Sequence, residues 1–354
     1  MANLRPEQTL RAGDRPRRRR ARAVLAALLL LSSLGLQACF SSDEKVVAFL
    51  LASQEAERWT TLDEPAFAEK LEELCGDCSY LTYAAEDDAE AQAEQFDQAL
   101  DAGADVVVLN AVDSEQAADL VSGTDVPVIA YDRFVEGAER YVSTDPAATG
   151  RLMATTLVGA AGKDSRVLFL SGARGDQNAV AIDEAAQGVL GENGVEVLER
   201  LEPKTWSRAE AKKFVLANRD QIGEVDAVFA SNDTQAAGVA EALRELKVSD
   251  WPFVTGQDAE LSAVRRVVLG TQGMTVDKHV RTLAERAAEL AVDLVDEEEA
   301  EGLTEVRGVP SVVLQPVAVT RTTLANTVVR DHVYTIEQVC QGDTRSACTK
   351  LGLY

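Results

Sequence analysis

The sequence predicts an α/β protein built of two similar lobes, each with a doubly wound parallel sheet. From residue 45 onward, short apolar runs alternate with stretches of helical periodicity, the pattern of parallel strands joined by right-handed crossover helices. The pattern starts again after Asp145-Pro146, a pair typical of a helix start. Segments 105–110 and 226–231 also resemble each other, and each precedes a helix, an apolar strand and an aspartate.

The first half of the chain shows this alternation clearly. Apolar residues recur at spacings of three and four between Asp88 and Ala102, which indicates a helix that Gly103 ends. A further helix is expected to end near Cys75, and another covers 114–121. Strands are predicted at 45–51, 80–84, 105–109, 126–130 and 141–143.

The second half repeats the order and then crosses back. Its predicted strands are 166–170, 195–201, 226–230 and 253–255, and its helices are 145–159, 178–193, 208–218 and 234–246. A strand at 274–278, a helix at 279–294 and an apolar strand at 311–320, broken by Pro316, follow. We therefore expect three crossing strands that restrict the lobes to hinge closure. The predicted N-terminal lobe is 45–142 plus 279–309, and the C-terminal lobe is 143–278 plus 310–354.

The amino terminus has the features of an export signal. Arginines at 17–20 and Arg22 precede an apolar run, 23–36, that is too short to span a bilayer comfortably. The run ends in Leu-Gln-Ala-Cys39, which resembles the bacterial lipobox, whose cysteine is lipidated. An ordinary cleaved signal is the alternative. We predict a signal peptide with lipobox at 1–38 and a tether at 39–44, which makes the chain an exported lipoprotein on the outer face of the cytoplasmic membrane.

The other four cysteines form two close pairs, Cys75 with Cys78 and Cys340 with Cys348. In an exported chain such pairs indicate local disulfides. A redox motif is disfavoured because Cys75 follows a helix rather than opening one. A zinc site is disfavoured because the two histidines lack metal-like spacing, and we expect no metal or cofactor.

The charge of the chain disfavours nucleic acid as a partner, although acidic residues also serve simply to keep a protein surface soluble. The formal net charge is −24, and residues 1–38 contain eight arginines against Glu7 and Asp14, so the remainder carries −30. Such an acidic body repels nucleic acid.

No catalytic motif is apparent, so we predict a binding protein and not an enzyme. The sequence lacks a phosphate-binding loop and a nucleophile elbow, and the two glycines of Gly172-Ala-Arg-Gly175 indicate a plain turn. Polar side chains instead recur where predicted strands end or helices begin, which is where α/β proteins bind ligands. Forked charged and amide groups suit a neutral polyol, and Trp59 and Trp206 could pack on a pyranose ring. The polar candidates are Arg58, Asp132, Arg133, Asp176, Asn178, Asn232, Asp258 and Lys278.

Six motifs in order resemble one family. They are Glu57-Arg58-Trp59, Ala130-Tyr-Asp-Arg133, Asp176-Gln-Asn-Ala179, Ala230-Ser-Asn-Asp-Thr234, Thr255-Gly-Gln-Asp-Ala259 and Gly270-Thr-Gln-Gly-Met-Thr-Val-Asp-Lys278. The chain resembles, from about residue 45 to 333, the periplasmic sugar-binding proteins of the ribose and xylose type, and most closely those that bind D-xylose. Gln177 and His279 depart from the family pattern, where asparagine and proline are usual. The tail, 335–354, lies outside the resemblance. We predict that it covers part of the second lobe and is held by its disulfide.

The resemblance implies a type I periplasmic binding protein fold and a pentopyranose held between Trp59 and Trp206. The eight polar candidates would bind its hydroxyls, and an ABC importer permease would receive it. Alternatives are a sugar receptor that signals to a sensor kinase or chemoreceptor, and, less favoured, a repressor-like sugar sensor, which would need a helix-turn-helix before residue 45.

Overall fold

The computed structural model describes residues 45–353. The predicted signal peptide, the tether and Cys39 lie outside the described residues. No helix in the described part of the chain is long and apolar enough to cross a membrane.

The first lobe is built on a seven-stranded sheet. Five parallel strands alternate with helices, and an antiparallel pair from later in the chain completes one edge, in the order β11-β12-β5-β4-β3-β1-β2. A π-helical turn, Trp59–Asp63, leads directly into the first helix. The elements are β1 Val46–Leu51, α1 Glu64–Leu74, β2 Ser79–Ala84, α2 Ala89–Asp101, β3 Val106–Leu109, α3 Ser114–Ser122, β4 Val128–Tyr131, β5 Arg140–Thr144, α9 Val280–Val295, β11 Thr304–Val306 and β12 Val309–Leu314.

The second lobe is built on a four-stranded parallel sheet in the order β7-β6-β8-β9. Strand β6, the first of this lobe, lies between β7 and β8, just as β1 lies between β2 and β3 in the first lobe. The first three strands of the two lobes therefore have the same order. The elements are α4 Pro146–Ala161, β6 Arg166–Leu170, α5 Gln177–Glu192, β7 Glu196–Leu201, α6 Arg208–Ala217, β8 Ala227–Ala230, α7 Asp233–Glu245, β9 Phe253–Val254 and α8 Leu261–Leu269.

The chain crosses between the lobes three times. It leaves β5 for α4, leaves β10 (Met274–Asp277) for α9, and leaves β12 for β13 (Val317–Thr320). Strands β10 and β13 pair with each other in an antiparallel two-stranded sheet. The predicted fold, two doubly wound lobes joined by three crossing segments, is confirmed.

The central strands of both sheets are buried on their two faces, as parallel sheets require. In β1, Val47, Phe49 and Leu51 pack in one apolar cluster with α1 and α9, whereas Ala48 and Leu50 pack in another on the opposite face. In the second lobe, Leu168 and Leu170 face one cluster, and Val167 and Phe169 the other. This two-sided burial explains why the strands read as continuous apolar runs.

The sequence analysis did not predict helix α8, strand β11 or the two short tail helices at Ile336–Val339 and Arg345–Leu351. Strand β12 pairs with β5 in the first sheet, so residues 310–314, which the predicted boundaries place in the second lobe, are strand residues of the first. The apolar run 311–320 is interrupted at Pro316, and its two parts belong to strands β12 and β13 of two different sheets. The predicted domain boundaries otherwise stay a prediction.

The tail forms two short helices, α10 Ile336–Val339 and α11 Arg345–Leu351. Its apolar side chains share a cluster with Val264 and Val268 of α8 and with Leu62 of the π-helical turn. Both predicted cysteine pairs are at bonding distance, with Cα atoms 5.3 Å apart for Cys75–Cys78 and 5.8 Å apart for Cys340–Cys348.

Candidate functional site

A cavity lies between the lobes at the carboxyl ends of their strands. Backbone and side-chain contacts join the lobes around it. The Ser114 amide donates to the Gly175 carbonyl at 2.9 Å, and the Glu57 amide donates to Glu260 Oε1 at 2.8 Å. Of the ten predicted ligand-binding residues, those that line the cavity are Trp59, Asp132, Arg133, Asp176, Asn178, Trp206, Asn232, Asp258 and Lys278.

Asp132 and Asp258 occupy equivalent places in the two lobes, just after β4 and β9. Both have left-handed backbone conformations, with φ of 63° for Asp132 and 98° for Asp258. Aspartate tolerates this region better than most residues. Such conformations cost free energy and persist where the surrounding structure fixes them, often at functional sites.

Arg58 lies behind the cavity wall and connects the two aspartates. Its guanidinium is 3.4 Å from Asp132 Oδ2 and 3.1 Å from Asp258 Oδ1, and it donates to both oxygens of Asp63, at 2.9 and 2.5 Å. Only 1% of Arg58 is exposed. Burial lowers its pKa, but Asp63, Asp132 and Asp258 outweigh burial and hold that pKa well above its usual value.

Asp63 is the partner that sequence reasoning missed. It is fully buried and also accepts a hydrogen bond from the Tyr131 hydroxyl at 2.6 Å. Burial raises the pKa of Asp63, although the positive charge of Arg58 acts against this shift. The negative charge of Asp63 in turn raises the pKa of Arg58. We take the pair as ionised because both carboxylate oxygens accept from the guanidinium. Nothing in the sequence distinguishes Asp63 from its acidic neighbours.

Lys278 reaches the cavity from the second crossing. Its Nζ is 2.6 Å from Asp132 Oδ1 and 3.6 Å from Asp258 Oδ1. Burial raises the pKa of Asp132, but Lys278 and Arg58 more than offset it and hold that pKa below its usual range. Asp132 is therefore a carboxylate at any physiological pH, and it acts as a hydrogen-bond acceptor.

The wall formed by α5 begins with Asp176 and Asn178. Asp176 Oδ1 caps the helix by accepting from the Asn178 amide at 2.8 Å, and its Oδ2 is 3.0 Å from Arg133 Nε in the other lobe. Asn178 Nδ2 donates to the Asp132 carbonyl. These polar groups therefore lie on both lobes and contact each other across the cavity.

The cavity also contains aromatic surface and unpaired hydrogen-bonding atoms. The Arg58 guanidinium lies 4.2 Å from the centre of the Trp59 ring. Trp206 Nε1 and Gln257 Oε1 are buried and have no hydrogen-bond partner among residues 45–353. A ligand with both donors and acceptors could satisfy them. Gln257 lies in the motif Thr255-Gly-Gln-Asp-Ala259, but it is not among the ten predicted ligand-binding residues.

Other lining residues have no sequence signal of their own. They come from loops, from the end of β5 and from helices α4 and α5, which only the fold brings together, and they are Ser53, Glu55, Ala56, Asp87, Thr144, Pro146, Thr149 and Ile182. The described residues contain no group of three or more His, Cys, Asp or Glu side chains that could hold a metal ion.

A second buried network lies beside Asp258. Asp233 accepts from Gln272 Nε2 at 2.7 Å, from Thr275 Oγ1 at 2.7 Å and from the Glu260 amide at 3.1 Å. Burial raises the pKa of Asp233 to about 7, against the opposing charge of Arg266. Burial and the neighbouring Asp233 also raise the pKa of Glu260 well above its usual value. The pair therefore retains a proton more readily than exposed carboxyls do.

This pair should make stability depend on pH. The pKa of Asp233 is raised in the folded chain from 3.8 to about 7, so the folded state binds more protons than the unfolded state within that window. The resulting stabilisation is present below the lower pKa and lost as pH rises through the higher one. Urea denaturation at several pH values between 5 and 8 should show this fall in the free energy of unfolding. Glu260→Gln should reduce the slope, and equal slopes in both proteins would contradict the assignment.

Comparisons with known proteins agree with this architecture. Residues 47–299 match the sequence profile of the periplasmic binding protein domain family. The chain belongs to this family. The resemblance to its ribose and xylose type is confirmed, and the family binds solutes and is not an enzyme family.

Two relatives and one solved structure illustrate the relationship. The chain is 30% identical over 331 residues to a D-xylose-binding periplasmic protein of Haemophilus influenzae, covering 88% of this chain and 98% of the relative. It is 28% identical to the protein of the same name from Escherichia coli, covering 87% and 95%. An ABC transporter solute-binding protein from Clostridium phytofermentans with bound β-D-glucose has the same fold, with a TM-score of 0.75, 23% identity and coverage of 83% and 100%.

Proposed function

We propose that the protein binds a monosaccharide, D-xylose or a similar aldopyranose, in the cavity between its lobes. Closure of the lobes about the three crossing segments would trap the sugar. A permease of an ABC importer would then receive it. The observation that carries the proposal is the composition of the cavity, where charged and amide side chains of both lobes meet beside Trp59 and Trp206.

The chemistry of these side chains suits a neutral polyol. Each sugar hydroxyl both donates and accepts, and the cavity offers acceptors such as Asp132 and Asp258 and donors such as Lys278. The opposite charges are already paired with each other, for example Lys278 with Asp132. A net-charged ligand would disturb that balance, whereas a neutral one inserts hydroxyls into an existing network.

The expected affinity follows from a few good hydrogen bonds. A hydrogen bond to a charged group contributes about 1.5 to 3 kcal/mol. Three or four of these, with stacking on the indole rings, offset the ordering cost and reach the roughly 8 kcal/mol of a micromolar site. No activated nucleophile takes part, so the sugar should leave unchanged.

The choice of D-xylose rests on the relatives and not on the cavity alone. Two relatives that the chain covers almost completely bear that ligand in their names. A screen by intrinsic tryptophan fluorescence against pentoses and hexoses tests the choice. We expect a saturable change with D-xylose or a close aldopyranose and recovery of unaltered sugar. Folded protein that responds to none of these sugars would refute the proposal.

Membrane attachment and delivery are further parts of the proposal. Cys39 at the end of the apolar signal would carry the lipid that holds the protein at the outer face of the membrane. Fractionation of cells that express the full chain or Cys39→Ser tests this, because only the chain that retains Cys39, and so can carry the lipid, should sediment with membranes. Uptake of labelled sugar that does not depend on this protein would favour the signalling alternative over import.

A further inference from the structure

The loop between β6 and α5 contains two glycines that each face a close neighbour. A Cβ atom built on Gly172 would lie 2.4 Å from Cη2 of Trp206 and 2.5 Å from Cβ of Ala179. Atoms at these distances clash severely, so any side chain at Gly172 would displace the indole. Gly172 therefore fixes how deeply Trp206 sits against the wall of the cavity.

Gly175 meets the other lobe. A Cβ atom there would lie 2.7 Å from Asp113 Oδ2 and 3.4 Å from the Val112 carbonyl. The Gly175 carbonyl accepts a 2.9 Å hydrogen bond from the amide of Ser114, the first residue of α3. Asp113 already caps the amides of Glu115 and Gln116. The Gly175 carbonyl thus satisfies a further amide at the start of α3.

The loop and the segment that carries Trp206 are joined by backbone hydrogen bonds. The Ser171 amide donates to the Leu201 carbonyl at 2.9 Å, and the Arg174 amide donates to the Pro203 carbonyl at 3.3 Å. One short unit therefore contacts the indole at one end and the first lobe at the other. Asp176 follows directly and pairs with Arg133 of the first lobe at 3.0 Å.

We propose that Gly172 and Gly175 are positioning residues with separate roles: Gly172 sets the position of Trp206, and Gly175 permits the close approach of the two lobes. This inference rests on the proposed function, since it assigns how the same site holds its sugar. Neither glycine offers a side chain to the ligand. Their role is to leave space, at Gly172 for the indole and at Gly175 for the close approach of α3.

Substitution by alanine tests the two glycines separately. Gly175→Ala should weaken sugar binding about tenfold, the value of one lost hydrogen bond. The radius of gyration, which should decrease when the lobes close at saturating sugar, should decrease less in this variant. Gly172→Ala should also weaken binding, but it should change the tryptophan fluorescence without sugar and leave that decrease intact. Gly188→Ala on α5 is the matched control, because, apart from its chain neighbours and its own helix backbone, no atom of the described part of the chain lies within 4 Å of a Cβ built there. It should bind as the unmodified protein does.

A second substitution makes the test independent of folding defects. Asp113→Ser keeps a good helix cap while it removes the carboxylate that the added methyl group would meet. Combined with Gly175→Ala, it should restore most of the lost affinity. Folded Gly175→Ala with undiminished affinity, or a double variant no better than Gly175→Ala, would overturn the role of Gly175.

Hydrogen exchange separates this inference from the proposed function. The Ser114 amide should exchange faster in Gly175→Ala than in the Gly188→Ala control, whether or not sugar is present. If the unmodified protein binds no sugar, the proposed function fails. Unchanged exchange at Ser114 in Gly175→Ala, or unchanged sugar-free tryptophan fluorescence in Gly172→Ala, would instead refute the positioning role itself.

Discussion

Replacing Asp258 with asparagine should lower sugar affinity by about 100-fold, with little loss of stability. Asp258 lies on the cavity wall, where a carboxylate accepts charge-assisted hydrogen bonds, and losing one or two of these costs about 1.5 to 3 kcal/mol each. Asparagine keeps the shape and tolerates the positive φ of 98°. Calorimetric titration and thermal unfolding of the same preparation measure both effects.

The reason to expect a stable variant is the local charge balance. Arg58 and Lys278 are shared among three carboxylates, Asp63, Asp132 and Asp258, so losing one negative charge leaves two pairs. Asp220→Asn is a suitable control, because the Asp220 side chain is 94% exposed on the far surface turn. An Asp258→Asn protein that binds sugar normally would show that Asp258 serves only the internal ion pairs.

Replacing Asp63 with alanine should instead lower the free energy of unfolding by about 3 to 5 kcal/mol, as expected when one partner of a buried ion pair is removed. The change leaves the Nε side of Arg58 and the Tyr131 hydroxyl, both fully buried, without their shared acceptor. Sugar binding should weaken as well, because Arg58 orients Asp132 and Asp258. Urea denaturation gives the change in stability.

Asp63→Asn provides the matched control for this prediction. Its amide oxygen can still accept one hydrogen bond from Arg58 or Tyr131, so the loss of stability should be clearly smaller than in Asp63→Ala. If Asp63→Ala unfolds at the same urea concentration as the unmodified protein, the ion pair behind the cavity does not stabilise the fold.

The alternation of strands and helices in both lobes could be predicted, because the sequence patterns of strands and helix starts are local and occur in each lobe. Strands buried on both faces leave continuous apolar runs, and helix starts such as Asp145-Pro146 combine a capping side chain with a proline at the first position. Helix α8 was missed although Val264, Val267 and Val268 are buried along it, because its start at Glu260 has no side-chain cap. The three-residue β11 was too short to leave a pattern.

The cavity was predictable only in part. Asp132, Asp258 and Lys278 follow strands, so their place at a sheet edge could be deduced, and the structure brings them together. Asp63 could not be deduced, because its importance arises from the turn that places it against Arg58 and Tyr131. The closeness of Gly172 to Trp206 likewise depends on two segments that are distant in sequence.

Calorimetric titration of the full protein with D-xylose tests the central claim, a single sugar held between the lobes, most directly. The account predicts saturable heat with one sugar bound per chain, competition by similar aldopyranoses, and an affinity about 100-fold lower in Asp258→Asn. Folded protein that gives no heat with any aldopyranose, or a stoichiometry and affinity unaffected by Asp258→Asn, would contradict it.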